Sequence, residues 1–332
     1  MKQAASTVSL FGLEDFARNF VRDINHHQDV RTEHLAEAFR ECFGLPAFPS
    51  LADLWGLCRR LGVEVGALPA GAGGLLAVNV WHDSQGPSIL MEQELSTKRA
   101  ETTLGHELRE VLENTFRRVK PSYIGLDTRD SKEMDPESDC FAGCLLMQGQ
   151  ASRDRLHELG YDVASFAGET GRSLPSVILR AQQLHPAGGS ESSLVAGMWL
   201  FEAPWGRVRD GSSTAGDLKL RYRAHLSGFS MDKSGSASSK LAHSVFPGRS
   251  AAAGDSRFAL QCLVERRPVV ASVGGFDLFG QHDYLVAAEP FFAVGVPWRV
   301  LMTAVRRDCE HLVAPYIRRL GVRMEARTYQ SV

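Results

Sequence analysis

The residues 102–116, "TTLGHELREVLENTF", hold the side chains most able to do chemistry in this chain. His106 and Glu110 are four residues apart. On a helix that spacing puts both on one face with Cβ atoms about 5–6 Å apart, close enough for two side chains to hold one ion. Glu107 follows His106 directly. In an HExxH helix this is the position from which a carboxylate activates water without itself binding the zinc. Here Glu110 stands where the second histidine belongs. Zinc accepts carboxylate oxygen, but a carboxylate-rich shell moves the preference toward harder ions such as manganese. The same residues also describe an ordinary amphipathic helix, with Glu107, Arg109, Glu110 and Glu113 as a solvated face. In that reading Arg109 and Glu113 form a surface ion pair worth about 0.3 kcal/mol.

A third donor has to come from elsewhere, and "DPESDCFAGCLLMQG", residues 135–149, offers Asp135, Glu137 and Asp139. Asp135-Pro136 reads as a helix start, because proline is tolerated at the first helical position. That makes helix capping the competing role for Asp135. Phe141, Cys144, Leu145 and Met147 supply the packing face of this helix.

The elements that must position these residues are legible from periodicity. Residues 13–28 and 31–43 have helical apolar spacing, through Phe16, Phe20 and Ile24 and then Leu35, Ala38 and Phe39. "PSLADLWGLCRRLG" is a third helix, with Ser50 as N-cap and Gly62 in the C-terminal glycine position. Strands are expected at "VEVGAL", "GGLLAVNVW" and "PSILM". The helix bearing His106 covers roughly 95–116, its apolar stripe being Leu104, Leu108, Val111, Leu112 and Thr115.

"TLGHEL" followed by "DPESDCFAGCLLMQ" resembles the ImmA/IrrE family of metallopeptidases, whose pattern runs HExxH and then ExxxN/D-x-FA-xx-LLMP. Phe141-Ala142 and Leu145-Leu146-Met147 match its second half. The resemblance puts the third metal ligand on Asp135 and the supporting Asn or Asp on Asp139, with Glu137 or Asp139 as the alternative ligand. The chain departs at Glu110, at Asp135 in place of a glutamate, and at Gln148 in place of a proline. What the resemblance implies is an α+β protein: a zincin-like, mainly helical metallopeptidase core with a small sheet over 1–150, a helix-turn-helix-like segment over 151–187, and a GAF-like α+β domain over 188–332. It further implies a divalent metal, Zn2+ or Mn2+, held by His106, Glu110 and Asp135, with Glu107 as the catalytic base in peptide-bond hydrolysis. The implied substrate is a helix-turn-helix transcriptional repressor, cleaved in a stress or mobile-element response. A catalytically silent relative that binds a regulator without cleaving it is the alternative, and a regulator binding DNA directly through 151–187 is a third reading.

The remaining features narrow the classes. The chain has 332 residues, with 37 basic against 39 acidic side chains and a net charge of −2, so an electrostatic partner such as nucleic acid or an anionic membrane is not expected. Residues 151–187 hold four arginines against four acidic residues, without the basic excess that DNA binding needs; their expected role is packing against the peptidase core. The N-terminus lacks the apolar core of a signal peptide and no 18-residue apolar run occurs, so a cytoplasmic protein is expected. The six cysteines are scattered, without a CxxC, and Cys140 and Cys144 read as reduced packing residues. Beyond a linker at 186–193, five strand-like segments surround "SRFALQCLVERR" and precede a final helix, "DCEHLVAPYIRRLG". Residues 228–256, rich in Ser, Gly and Ala, read as a mobile loop, and 273–284, "VGGFDLFGQHDY", as a hairpin turn.

Overall fold

A computed structural model describes residues 8–23, 32–68, 74–82, 86–121, 131–184, 196–203, 219–226, 257–276 and 282–321. The chain divides into two compact units, Met1–Ser152 and Arg153–Val332.

The first unit holds helices α1 (Val8–Asp23), α2 (Thr32–Phe43) and α3 (Leu51–Leu61), strands β1 (Glu64–Leu68), β2 (Ala77–His82) and β3 (Gly86–Glu92), then helices α4 (Thr97–Val119) and α5 (Ser131–Leu146). Helix α3 begins with a reciprocal capping box between Ser50 and Asp53 and stops at Gly62, whose φ of 71° suits a residue without Cβ. The sheet order is β1-β3-β2, with β1 parallel and β2 antiparallel to β3. Alternation along β2 turns Asn79 and Trp81 toward α4, where Asn79 meets Glu107 and the Trp81 ring lies 4.6 Å from the Arg118 guanidinium carbon.

Helix α4 runs through the middle of this unit. Leu104, Leu108, Val111, Leu112 and Phe116 are buried, and so are the polar Glu101, Glu107, Arg109 and Glu113. Gly105 sets how closely α5 approaches: a Cβ there would stand 3.0 Å from the Ala142 Cβ, closer than most packed carbons sit, so the helices would have to give. From α2, Arg40 donates to the Leu145 carbonyl at the end of α5, and Glu37 accepts the Gly149 amide at 2.7 Å. Both satisfy helix-end groups that lack a partner inside their own helix.

Helix α6 (Gly149–Glu158) leads into the second unit, which continues with α7 (Val163–Thr170), α8 (Leu174–Leu184), β4 (Ala196–Glu202), β5 (Lys219–Leu226), α9 (Arg257–Glu265), β6 (Val269–Phe276), β7 (His282–Ala293), β8 (Val296–Arg306) and α10 (Glu310–Leu320). The five strands among its described residues form an antiparallel sheet in the order β5-β4-β8-β7-β6. Trp199, Phe201, Cys262, Val286, Val300 and Met302 are the middle of its core. Asp162 caps α7 by accepting the Ser165 amide at 2.9 Å, and it also accepts from Arg319 of α10. Arg319 donates in addition to both oxygens of Glu289 on β7, at 2.6 and 2.7 Å. The segment expected to pack against the peptidase core thus falls, from Arg153 onward, in the unit of the antiparallel sheet, where α8 lies against β5.

The fold is α+β, a mainly helical first unit followed by a sheet-containing second one. Three local expectations need correction. Helix α1 starts at Val8, before the expected position. Helix α5 starts at Ser131, so Asp135 is inside the helix and is not its cap; Lys132, Glu133 and Met134 are good helix formers ahead of the proline. The Arg109–Glu113 pair exists, at 2.9 Å, but both side chains are only 4% exposed, so it is a buried pair. The linker at 186–193 and the loop at 228–256 lie outside the described residues.

Candidate active site

The Gly105–Ala142 crossing brings His106, one residue further along α4, against Asp139, almost one turn back along α5. His106 Nδ1 is 3.0 Å from Asp139 Oδ1, and His106 Nε2 is 3.4 Å from Glu110 Oε1. Glu107 is buried on the neighbouring stripe of α4, facing β2. There the Asn79 amide donates to Glu107 Oε2 at 3.1 Å and to Glu110 Oε2. The Asn79 carbonyl oxygen accepts from Asn114 Nδ2 at 3.3 Å.

These contacts set the charge states. The bond to Asp139, then that to Glu110, pushes the His106 pKa up to about 10 against the opposing effect of burial. The ring therefore keeps a proton at neutral pH when no other cation is present. Glu110 is held below the usual carboxylate range, first by its bond to His106 and further by Asn79. Glu107 moves the other way, because burial disfavours its charged form more than the Asn79 amide favours it. A single imidazole thus sits among three carboxylates, one of which is tuned toward accepting a proton.

The donor chemistry fits one side of a divalent-cation shell. His106 Nε2 and Glu110 Oε1 face each other, a nitrogen and an oxygen donor of the kind zinc and manganese accept. Nδ1 is turned to a carboxylate, the usual arrangement for a metal-binding histidine. Asp139 is consequently on the far edge of the ring from Glu110 and orients the ring. Among the described residues no group of three or more His, Cys, Asp or Glu side chains is set to hold an ion. Asp135 lies in the first part of α5, where side chains are outside the described residues, and Glu137 is half-buried on the same helix. His106, Glu107, Glu110 and Asp139 are brought together, and among the described contacts Glu137 does not join them; the Asp135 expectation lies outside the described side chains.

Asn79 and Asn114 are members of this network that the sequence reading passes over. Asn114 is three residues beyond Val111 on α4, and nothing in its neighbours marks it. Asn79 does leave a trace: an amide side chain amid "AVNVW" is disfavoured in a strand and turns to the same face as Ala77 and Trp81. His82 is exposed at the end of β2, and Cys144 is a buried thiol in the α5 core.

Residues 58–181 match the family described as Peptidase_M78, IrrE N-terminal-like domain. That segment starts in α3, contains both site helices and ends in α8, so it crosses the boundary between the two compact units. A solved structure, a Mycobacterium tuberculosis transcriptional regulator, is similar over 92% of this chain and 84% of its own, with a TM-score of 0.51 and 13% identity. At that identity the likeness is one of fold. No curated protein matches the chain. Among the described residues no helix is long and apolar enough to cross a membrane.

Proposed function

We propose that this chain, which carries an IrrE N-terminal-like domain over residues 58–181, is a cytoplasmic regulator with metal-dependent endopeptidase chemistry, and that its substrate is a helix-turn-helix transcriptional repressor. The observation that carries the reading is the convergence of His106 Nε2 and Glu110 Oε1 beside a buried Glu107, with Asp139 on the other ring nitrogen. His106 and Glu110 would hold Zn2+ or Mn2+, with Asp135 as the third ligand. When bound, such an ion polarises a scissile carbonyl and makes water a stronger acid. Asp139 accepts the Nδ1 proton of the neutral ring and so presents the Nε2 lone pair. Glu107 takes the proton of the attacking water and delivers it to the leaving amine, a role helped by the upward move of its pKa. The antiparallel sheet of the second unit, with α9 inserted between β5 and β6, supports a GAF-like domain that senses a ligand or holds the substrate.

One observation favours a second reading, a silent relative that binds a regulator without cleaving it. His106 and Glu110 already satisfy each other, and Asp139 and Asn79 take their remaining contacts, so the network closes without an ion. The two readings separate in one assay. The full chain is mixed with a helix-turn-helix repressor encoded beside it, with Mn2+, with Zn2+ and with chelator. The hydrolytic reading expects metal-dependent cleavage at a defined bond, slowed by about 100-fold or more in Glu107→Gln. Stable complex formation with an intact repressor under all three conditions would establish the silent one.

A further inference from the structure

We infer that Asn79 is a positioning residue that holds Glu110 in the orientation cation binding requires, with Glu107 beside it; the inference rests on the metal-dependent reading above. Asn79 is in the middle of β2, a strand at one edge of the three-stranded sheet, paired with Ile89 of β3. Its neighbours Val78 and Val80 point to the opposite face, so packing of the strand gives no reason for an amide here. What the amide does is specific. An NH2 group has two hydrogens to donate, and Asn79 Nδ2 reaches one oxygen of each carboxylate, Glu107 Oε2 at 3.1 Å and Glu110 Oε2. The two carboxylates belong to one turn of α4 and repel one another; a shared donor lets them stay adjacent. It also divides the work of each group. Glu110 is anchored through Oε2, and its Oε1 is left facing His106 Nε2.

The direction of the amide matters, because the flipped side chain would put its carbonyl oxygen against two anions. Asn114 Nδ2 donates to Asn79 Oδ1 at 3.3 Å, which only the unflipped orientation accepts. A relay results: Asn114 fixes Asn79, and Asn79 fixes Glu107 and Glu110. An aspartate at 79, having the same shape, offers no donor and adds a third negative charge, so the position selects an amide and not just its volume.

The test titrates the full chain with Mn2+ and with Zn2+ in a calorimeter at fixed pH, comparing wild type, Asn79→Leu, Asn79→Ala and Asn114→Ala, with the melting temperature of each cation-free protein as the control for folding. Loss of an oriented partner to a metal-binding group typically weakens affinity by about 10–100-fold, and that loss is expected for both substitutions at 79, in proteins that lose the shared donor's contribution to stability yet still melt in one cooperative transition. Asn114→Ala, which leaves β2 untouched, is expected to weaken binding by several-fold and remains informative if the position-79 variants fold poorly. Wild-type binding with variant affinities within twofold of it overturns the role of Asn79 and leaves the metal-dependent reading standing. Absence of binding by wild type overturns both.

Discussion

Among the described residues, the clusters around Arg319 and His106 each place carboxylates around one cationic side chain, and they differ in whether that charge can be removed. In the second unit Arg319 serves Asp162 and Glu289 with paired donors from one guanidinium. The guanidinium stays charged at any pH a protein survives, and its pKa is pushed higher still by Glu289 and Asp162. Such a cluster is a fixed tie between α7, β7 and α10. In the first unit His106 serves Asp139 and Glu110, with Glu107 alongside. An imidazole is cationic only while it holds a proton, and a divalent ion can take that proton's place. Carboxylates around a guanidinium thus make a structural lock in one unit, whereas carboxylates around an imidazole make, on the proposed reading, a site for chemistry in the other.

The contrast breaks first at Arg319. Arg319→Ala leaves Asp162, 2% exposed, and Glu289 facing each other without a cation. Uncompensated buried charges cost about 3–5 kcal/mol, and the partial exposure of Arg319 puts the expected loss near the lower end. A fall of the melting temperature on the order of 5 °C or more should register in a thermal scan, with no change in response to Mn2+ or Zn2+. A loss of ion response together with the melting temperature would mean that the two clusters are one system.

Next in size is Gly105→Val, which touches neither cluster. Its added carbons meet Ala142 across the α4–α5 crossing. Overpacking of this kind costs about 1–3 kcal/mol. It also parts His106 from Asp139, so the NMR-measured pKa of His106 should drop from its raised value toward about 6.5. An unchanged His106 titration in a destabilised Gly105→Val protein would show that the crossing does not set the site.

A smaller effect sharpens the contrast through pH. Because the folded pKa of His106 is raised to about 10, its stabilising contribution is complete below the unfolded value of about 6.5 and is lost as pH rises through the folded one. The cation-free wild type should therefore lose melting temperature relative to His106→Ala between about pH 7 and 10. Arg319→Ala should show the same alkaline trend as wild type, since a guanidinium does not titrate there.

Much of this arrangement is legible in the sequence where the controlling interactions are local. Ser50, Asp53 and Gly62 delimit α3, and Leu104, Leu108, Val111 and Leu112 mark the buried stripe of α4. His106, Glu107 and Glu110 are legible because one helix displays them. What was not legible depends on contacts between elements distant in sequence. Asn79 reaches Glu107 only because β2 lies over α4 in this register, and Gly105 matters only because Ala142 is opposite. Arg109 and Glu113 have the i,i+4 spacing of a surface pair, and only the surrounding helices make them a buried one. The start of α5 is not legible either: Asp135-Pro136 reads as a helix start, whereas the helix begins at Ser131 and accommodates Pro136 in its second turn.

The most direct test of the exchangeable-cation claim is calorimetric titration of the full chain with Mn2+ and Zn2+ near pH 7.5, in two buffers of different ionisation enthalpy. Expected is one ion per chain, release of about one proton as His106 gives up its own, and affinity that rises about tenfold per pH unit below the raised pKa. His106→Ala should abolish both the binding and the proton release. No bound ion, or an ion bound without proton release and undiminished in His106→Ala, would contradict it.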